Sequence, residues 1–419
     1  MMLSSRIGTS ALSGLMTIVA GMLTLCLPVL LFFSRAGADV AVSVVAVLFV
    51  LRSVLLGSWD WTRAGWFRLA LLFWAVMVLS SDLAGPRASL IQAVLSLRFF
   101  LFCAATATWA FRASGPRRVF GAVCSVLALW VVLQSWIQFL TGHNLSGFPR
   151  WNDGALTGPF YKPRAGNAFL MVFFPGVMPP VLALLRQRRV ALQAAGVLVL
   201  FVCVATMILI GQRMPTLLLL TGLGLTALLV RRLRWPVLGA LGVAAAVLAA
   251  LPVLSPPTYA KLVLKFTQQI SHFTQSAYGQ LYIRAAVMIS DHPLIGLGFD
   301  GFRNFCNAPA YARGLPSLGL PFIPDGENCN IHPHNYYFQA GVSAGLTGLA
   351  LFVGMILAWG RTMVRALEPS ERPMQAMLMV ACVVVLWPLA STSALFSLPP
   401  AGWIFLLAGA ALAASGERQ

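Results

Sequence analysis

Runs of about 17 to 23 apolar residues recur along the whole chain, and this constrains the fold more than any other feature. Each run is long enough to cross a bilayer as a helix, which closes its own backbone hydrogen bonds where water is absent. Strands of a membrane barrel alternate apolar and polar residues, and these runs do not. Apolar residues make up 59% of the 419 positions and charged residues 10%, too little polar surface for a soluble globule. The expected fold is an all-α polytopic membrane protein, a single integral membrane domain over 1–419. About twelve transmembrane helices are expected, near 12–33, 40–56, 65–81, 88–111, 119–141, 167–185, 190–210, 214–230, 236–254, 336–359, 373–393 and 398–415.

The formal net charge of +18 would suggest nucleic acid in a soluble protein. Here the basic residues stand in short clusters between apolar runs, where they set topology, and no nucleic-acid partner is expected. Placing the N-terminus in the cytoplasm puts Arg63, then Arg112, Arg117 and Arg118, then Arg186, Arg188 and Arg189 on that side. Arg231, Arg232 and Arg234 follow, then Arg361, Arg365 and Arg372. An even span count returns the C-terminus, with Arg418, to the cytoplasm. Only Arg6 precedes the first run and no convincing small-residue cleavage site follows it, so the first span is expected to be retained. The long segment 255–335, between the ninth and tenth spans, then lies outside the cytoplasm.

That loop opens with Pro256-Pro257 and continues as a mixed helical stretch over about 258–290, fit to lie at a membrane interface. Asp291-His292-Pro293 breaks it, and a glycine-rich segment, Gly296-Leu297-Gly298-Phe299-Asp300-Gly301-Phe302, follows. Cys306 and Cys329 share the loop, and an oxidising compartment would let them pair. Cys26, Cys103, Cys124, Cys203 and Cys382 lie inside apolar runs and read as small core residues.

Chemistry-bearing residues gather on the same side. His332-Pro333-His334-Asn335 stands where the loop re-enters an apolar run. A neutral imidazole there suits a general base, and the same residues also suit a helix cap. Arg213, in Gly211-Gln212-Arg213-Met214-Pro215, sits on the side that the positive-inside rule disfavours, so it calls for an anionic ligand or lipid head groups. Arg284 lies in an otherwise apolar helical stretch, and a buried arginine needs an anion. Arg98 raises the same question inside a span, with Asp82 as one structural partner to consider. Lys162 and Arg164 place positive charge at a helix mouth, for an anionic lipid or sugar phosphate or for solvent. No phosphate-binding loop, no H-E-x-x-H and no paired-acid metal motif is present, and two histidines are too few for a closed zinc site. No metal or cofactor is expected, and arginines would carry the electrostatic work.

Together these residues resemble the O-antigen ligase (WaaL) family, within the group of O-antigen ligases, O-antigen polymerases and O-linking oligosaccharyltransferases. The most specific match is His334-Asn335 followed, after nine residues, by Gly345-Leu346-Thr347-Gly348. Pro293-Leu294-Ile295-Gly296-Leu297-Gly298, Arg284 upstream and Arg213 between two spans extend the match over roughly 158–350. The resemblance implies a GT-C-type glycosyltransferase that is inverting and metal-independent, in the Gram-negative inner membrane. It would move O-antigen from undecaprenyl diphosphate to a lipid A-core sugar hydroxyl at the periplasmic face, amid membrane lipids. By the same resemblance His334 would be the base and Arg213 and Arg284 would bind the diphosphate. His332, Asn335, Lys162, Arg164 and Arg98 would make secondary donor or acceptor contacts. An O-antigen polymerase or a protein-glycosylating relative differs in acceptor and remains the alternative. A transporter is a remote one, since the chain shows no related halves.

Overall fold

In a computed structural model, residues 2–323, 329–365 and 367–416 are described, with side chains from residue 11 onward. The Arg6 side chain and Arg418 fall outside these residues. All regular secondary structure among the described residues is helical. Every one of the twelve expected segments contains an apolar helix. Eight are long and apolar enough to cross a membrane: Ala11–Phe33, Arg35–Leu56, Gly65–Ala84, Arg87–Ala110, Ser114–Thr141, Val190–Ile210, Arg231–Leu254 and Tyr336–Arg365. Ala165–Gly176 and Met178–Leu185 form a pair bent by 41° that makes a ninth candidate span when taken together. The bend falls just before Pro179 and Pro180, which lack a backbone donor and crowd the preceding turn. Arg213–Leu229, Pro373–Val385 and Pro400–Ser415 are shorter apolar helices. The chain is a multi-pass membrane protein.

Two of the departures from the expected limits have clear reasons. Arg35–Leu56 starts five residues before 40, because Ser34 caps it by accepting a hydrogen bond from the Gly37 amide. The helix expected over 373–393 stops at Val385. Pro388 denies the next turn a donor, and residues 386–399 run without regular structure up to Pro400.

Contacts gather the chain into two compact units. The first holds 1–113, 272–365 and 388–419, and the second 114–271 and 366–387. The long segment 255–335 is therefore divided between them at residue 272. In the first unit, Tyr336–Arg365 packs on Gly65–Ala84 through Phe352 on Phe73 and Trp359 on Trp66, with ring centroids 5.5 and 5.9 Å apart. In the second, Gly176 lies so close to the Cys124 backbone that a Cβ would stand 2.5 Å from it. Small residues at such crossings let membrane helices approach.

The extramembrane part of the first unit has its own core. The helix Ala277–Asp291, capped by Ser276, buries Leu281, Ile283, Val287 and Met288 against Leu297, Phe302, Tyr311, Ile323 and Val342. The mixed stretch expected over 258–290 is thus not one interfacial helix, and its last part turns its apolar face onto the loop itself. Cys306 and Cys329 are bonded within this core, their Cα atoms 5.8 Å apart. The bridge closes a loop with a sequence separation of 23 residues, which corresponds to about 3 kcal/mol of stabilisation. Cys329→Ser is expected to lower the loop's resistance to limited proteolysis accordingly, and unchanged cleavage kinetics would contradict this role.

Candidate active site

The helix Tyr336–Arg365 begins with a cap that the His-Asn sequence supplies. The Asn335 carboxamide oxygen accepts from the Tyr337 and Phe338 amides at 2.9 and 3.2 Å. Its nitrogen donates to the carbonyls of Pro388 and Ala390 at 2.7 and 3.3 Å. Asn335 is buried and its polar atoms are used, so it pins the loop to the helix end and to the irregular segment after Pro388.

This arrangement orients His334. Its Nδ1 lies 2.8 Å from the Thr392 carbonyl oxygen, and its own carbonyl accepts from the Thr392 amide at 2.7 Å. A carbonyl oxygen only accepts, so Nδ1 carries the proton and Nε2 keeps the lone pair. Nε2 meets the Asn330 amide nitrogen at 3.0 Å on an exposed side. The Tyr278 ring stands edge-on to the imidazole, with centroids 5.4 Å apart. Burial lowers the His334 pKa from its ordinary value, so the ring is neutral at neutral pH. The residue holds a left-handed backbone, φ 56°, a conformation that non-glycine residues keep at a cost.

His332 packs beside it, with ring centroids 4.3 Å apart. It is buried, and both its ring nitrogens lack a hydrogen-bond partner. Burial, then the proximity of His334 and of Arg303, push its pKa down to about 4.

Behind the histidines the helix breaks. Ala344 (φ −139°, ψ 16°) and Gly345 (φ 68°, ψ −170°) leave helical geometry. The break frees backbone groups that the glycine-rich segment takes up. Leu297 and Gly298 amides donate to the Val342 and Ser343 carbonyls at 2.8 and 3.0 Å, and the Leu346 amide donates to the Pro293 carbonyl at 2.7 Å. The two sequence motifs are thus two sides of one backbone seam.

Arg284 is 1% exposed and points into the loop core. One guanidinium nitrogen donates to the Cys306 carbonyl at 3.0 Å, while Nε and Nη2 have no partner. Its pKa is lowered by burial. Arg98 is paired with Asp39 at 2.7 Å and stacks over Phe99, so its partner is Asp39 rather than Asp82. The early start of Arg35–Leu56 brings Asp39 into that helix, just past its first turn, where it meets the arginine.

The second unit holds Arg213, Lys162 and Arg164. Arg213 is the first residue of Arg213–Leu229 and is half-buried, donating to the Gln269 side chain. Gln212 before it accepts from the Asn167 amide at 3.3 Å and donates to the Pro163 carbonyl at 2.5 Å. Lys162 and Arg164 both lie over the Tyr161 ring, at 5.4 and 5.8 Å.

This geometry can be set beside known families. The O-antigen ligase family model, Wzy_C, matches residues 171–353. Residues 171–353 are thus similar to the O-antigen ligase domain, over less than half of the chain. Members of this family are membrane glycosyltransferase-like enzymes. No curated protein matches the chain. The matched region contains Arg213, Arg284, His332, His334 and Asn335, whereas Arg98, Lys162 and Arg164 precede it. It also ends before Thr392, whose carbonyl selects the tautomer of His334.

Several residues around His334 carry no local sequence signal. Thr392 acts through its backbone and lies 58 residues away, and Tyr278 lies far upstream. Arg303 is one of many basic residues until the fold sets it near His332.

Proposed function

We propose that this protein is an O-antigen ligase. In this reading it transfers a polysaccharide from undecaprenyl diphosphate to a sugar hydroxyl of lipid A-core at the periplasmic face of the inner membrane. The observation that carries the reading is the tautomer of His334. Its Nδ1–H is held on the Thr392 carbonyl and its Nε2 lone pair faces an exposed amide that a substrate hydroxyl can replace. His334 takes the acceptor proton as the hydroxyl oxygen bonds to the anomeric carbon and the diphosphate leaves. The leaving group gains negative charge, and fixed cations stabilise that change most. Arg213 is assigned to the donor diphosphate, being half-buried at a helix start and held by a neutral glutamine. Arg284 is sealed in the loop core. A direct phosphate contact there requires the loop to open, and in the closed form it positions the Cys306 backbone. The bonded Cys306–Cys329 pair supports a loop in an oxidising compartment.

The activated donor supplies the driving force, so no nucleotide is required. Among the described residues no group of three or more His, Cys, Asp or Glu is placed to hold a metal. Transfer of a labelled glycan from a lipid-linked donor to purified lipid A-core is the direct test. The expected result is transfer undiminished by a chelator. A strict requirement for added divalent cation would overturn the metal-independent reading, and transfer only to a second donor molecule would identify a polymerase.

A further inference from the structure

One pocket in the first unit has a chemical character that the base and the diphosphate do not explain. It measures about 360 Å³, and its lining includes Arg35, Phe299, Arg303, His332, Gln339 and Phe396. Arg35 opens the helix Arg35–Leu56, and Arg303 lies in the short helix Gly301–Phe305. Both are exposed. The single carboxylate in the lining, Asp300, lies close enough to Arg303 to feel its charge and offsets one of the two guanidinium charges. The pocket is therefore a positive concavity.

Its interior is built for hydroxyls. His332 is 8% exposed, lines the pocket and leaves both ring nitrogens without a partner. Buried polar nitrogens are costly unless a ligand or water completes them. The Gln339 oxygen accepts from the Leu395 amide at 2.8 Å, which leaves its –NH₂ to donate. Phe299 and Phe396 stack at 5.7 Å between centroids and give the wall an apolar face. Two guanidinium groups, an unpartnered imidazole and an aromatic wall together match a sugar that carries an anionic group.

We propose that this pocket is the acceptor subsite for a phosphorylated sugar, with Arg35 and Arg303 meeting the phosphate and His332 a sugar hydroxyl. The subsite rests on the transferase reading for its role, because His332 lies against His334 and so sets the acceptor beside the base. It goes beyond that reading by stating the charge class of the acceptor and the residues that select it.

The test uses the full-length protein in zwitterionic nanodiscs, probed by saturation-transfer NMR with glucose 6-phosphate and with glucose. Glucose 6-phosphate is expected to bind about tenfold or more tightly than glucose, the size of a charge-assisted contact. Arg303→Gln and Arg35→Gln are each expected to erase most of that preference, and Arg303→Lys to keep part of it. Both positions are exposed, so these variants should retain the elution profile of the parent protein. Equal binding of the two sugars by the parent protein would overturn the proposal, as would an undiminished preference in both glutamine variants. Inorganic phosphate competing as well as the phosphosugar would show an anion site without a sugar, and would also overturn it. Loss of phosphosugar binding in discs containing an anionic lipid would assign the pocket to a head group instead. If the preference holds while the protein transfers no glycan to any acceptor, the transferase reading fails and the binding site stands.

Discussion

His334→Ala is expected to reduce glycan transfer by about 10²- to 10⁴-fold, the range that removing a positioned general base produces. The substitution takes away the Nε2 lone pair and the Nδ1–H bond to the Thr392 carbonyl together. Alanine also keeps a left-handed backbone poorly, at a cost of about 1 kcal/mol. His334→Asn separates these effects. Asparagine tolerates φ near 56° and its amide can donate, yet it cannot take a proton near neutral pH. Transfer should be lost in both variants, with the asparagine form unfolding close to the parent. Turnover by His334→Asn near the parent rate would remove His334 as the base. The pH profile gives a second check. Burial holds the folded-state pKa below 6.5, so the base form dominates at neutral pH and is lost only on further acidification. The acid limb of the rate is expected below pH 6.5, and a limb above neutrality would contradict the assignment.

Gly345→Ala is expected to destabilise the protein by about 3 kcal/mol and to abolish transfer with it. The position combines φ 68° with ψ −170°, a region open essentially to glycine alone. A Cβ would stand 2.6 Å from the Leu294 carbonyl carbon and 2.7 Å from the Ile295 nitrogen. Both are backbone atoms that cannot rotate away. Relieving the clash means parting the seam that holds Leu297 and Gly298 on the broken helix. Gly360→Ala on the same helix is the control, since nothing lies within 4 Å of the place its added methyl would take and alanine suits a helix interior. Melting of purified protein should separate the two by several kcal/mol, and equal midpoints would show that the break is not needed for the fold.

The motif His334-Asn335 followed by Gly345 and Gly348 joins several jobs that look alike in the sequence. Asn335 is spent on the cap, Gly345 on the break, and a Cβ on Gly348 would meet the Ala344 side chain at 2.1 Å. The first two jobs make a stiff frame at the mouth of the helix, and His334 is the group left facing outward with a usable nitrogen. His332 looks equivalent to His334 on paper, but it faces the pocket instead.

The amino-acid sequence by itself determined that the chain is a helical membrane protein, because runs of apolar residues report burial in lipid without any partner. It also placed an apolar helix in every expected segment while missing the ends that Ser34 and Pro388 set, and it singled out His332-Pro333-His334-Asn335 because polar residues at a helix mouth are conspicuous. Only the tertiary structure decided which nitrogen of His334 is free, since that depends on a backbone carbonyl at residue 392 exposed by the unwinding after Val385. It also paired Arg98 with Asp39 and turned Arg284 inward onto the Cys306 carbonyl. An arginine's meaning lies in the groups that surround it, and those come from distant parts of the chain. The same holds for Arg35 and Arg303, which acquire a shared pocket only when the first helices and the loop fold into one unit. The apolar pattern is local and survives in one dimension, whereas hydrogen-bond partners and charge neighbours exist only after the chain has closed on itself.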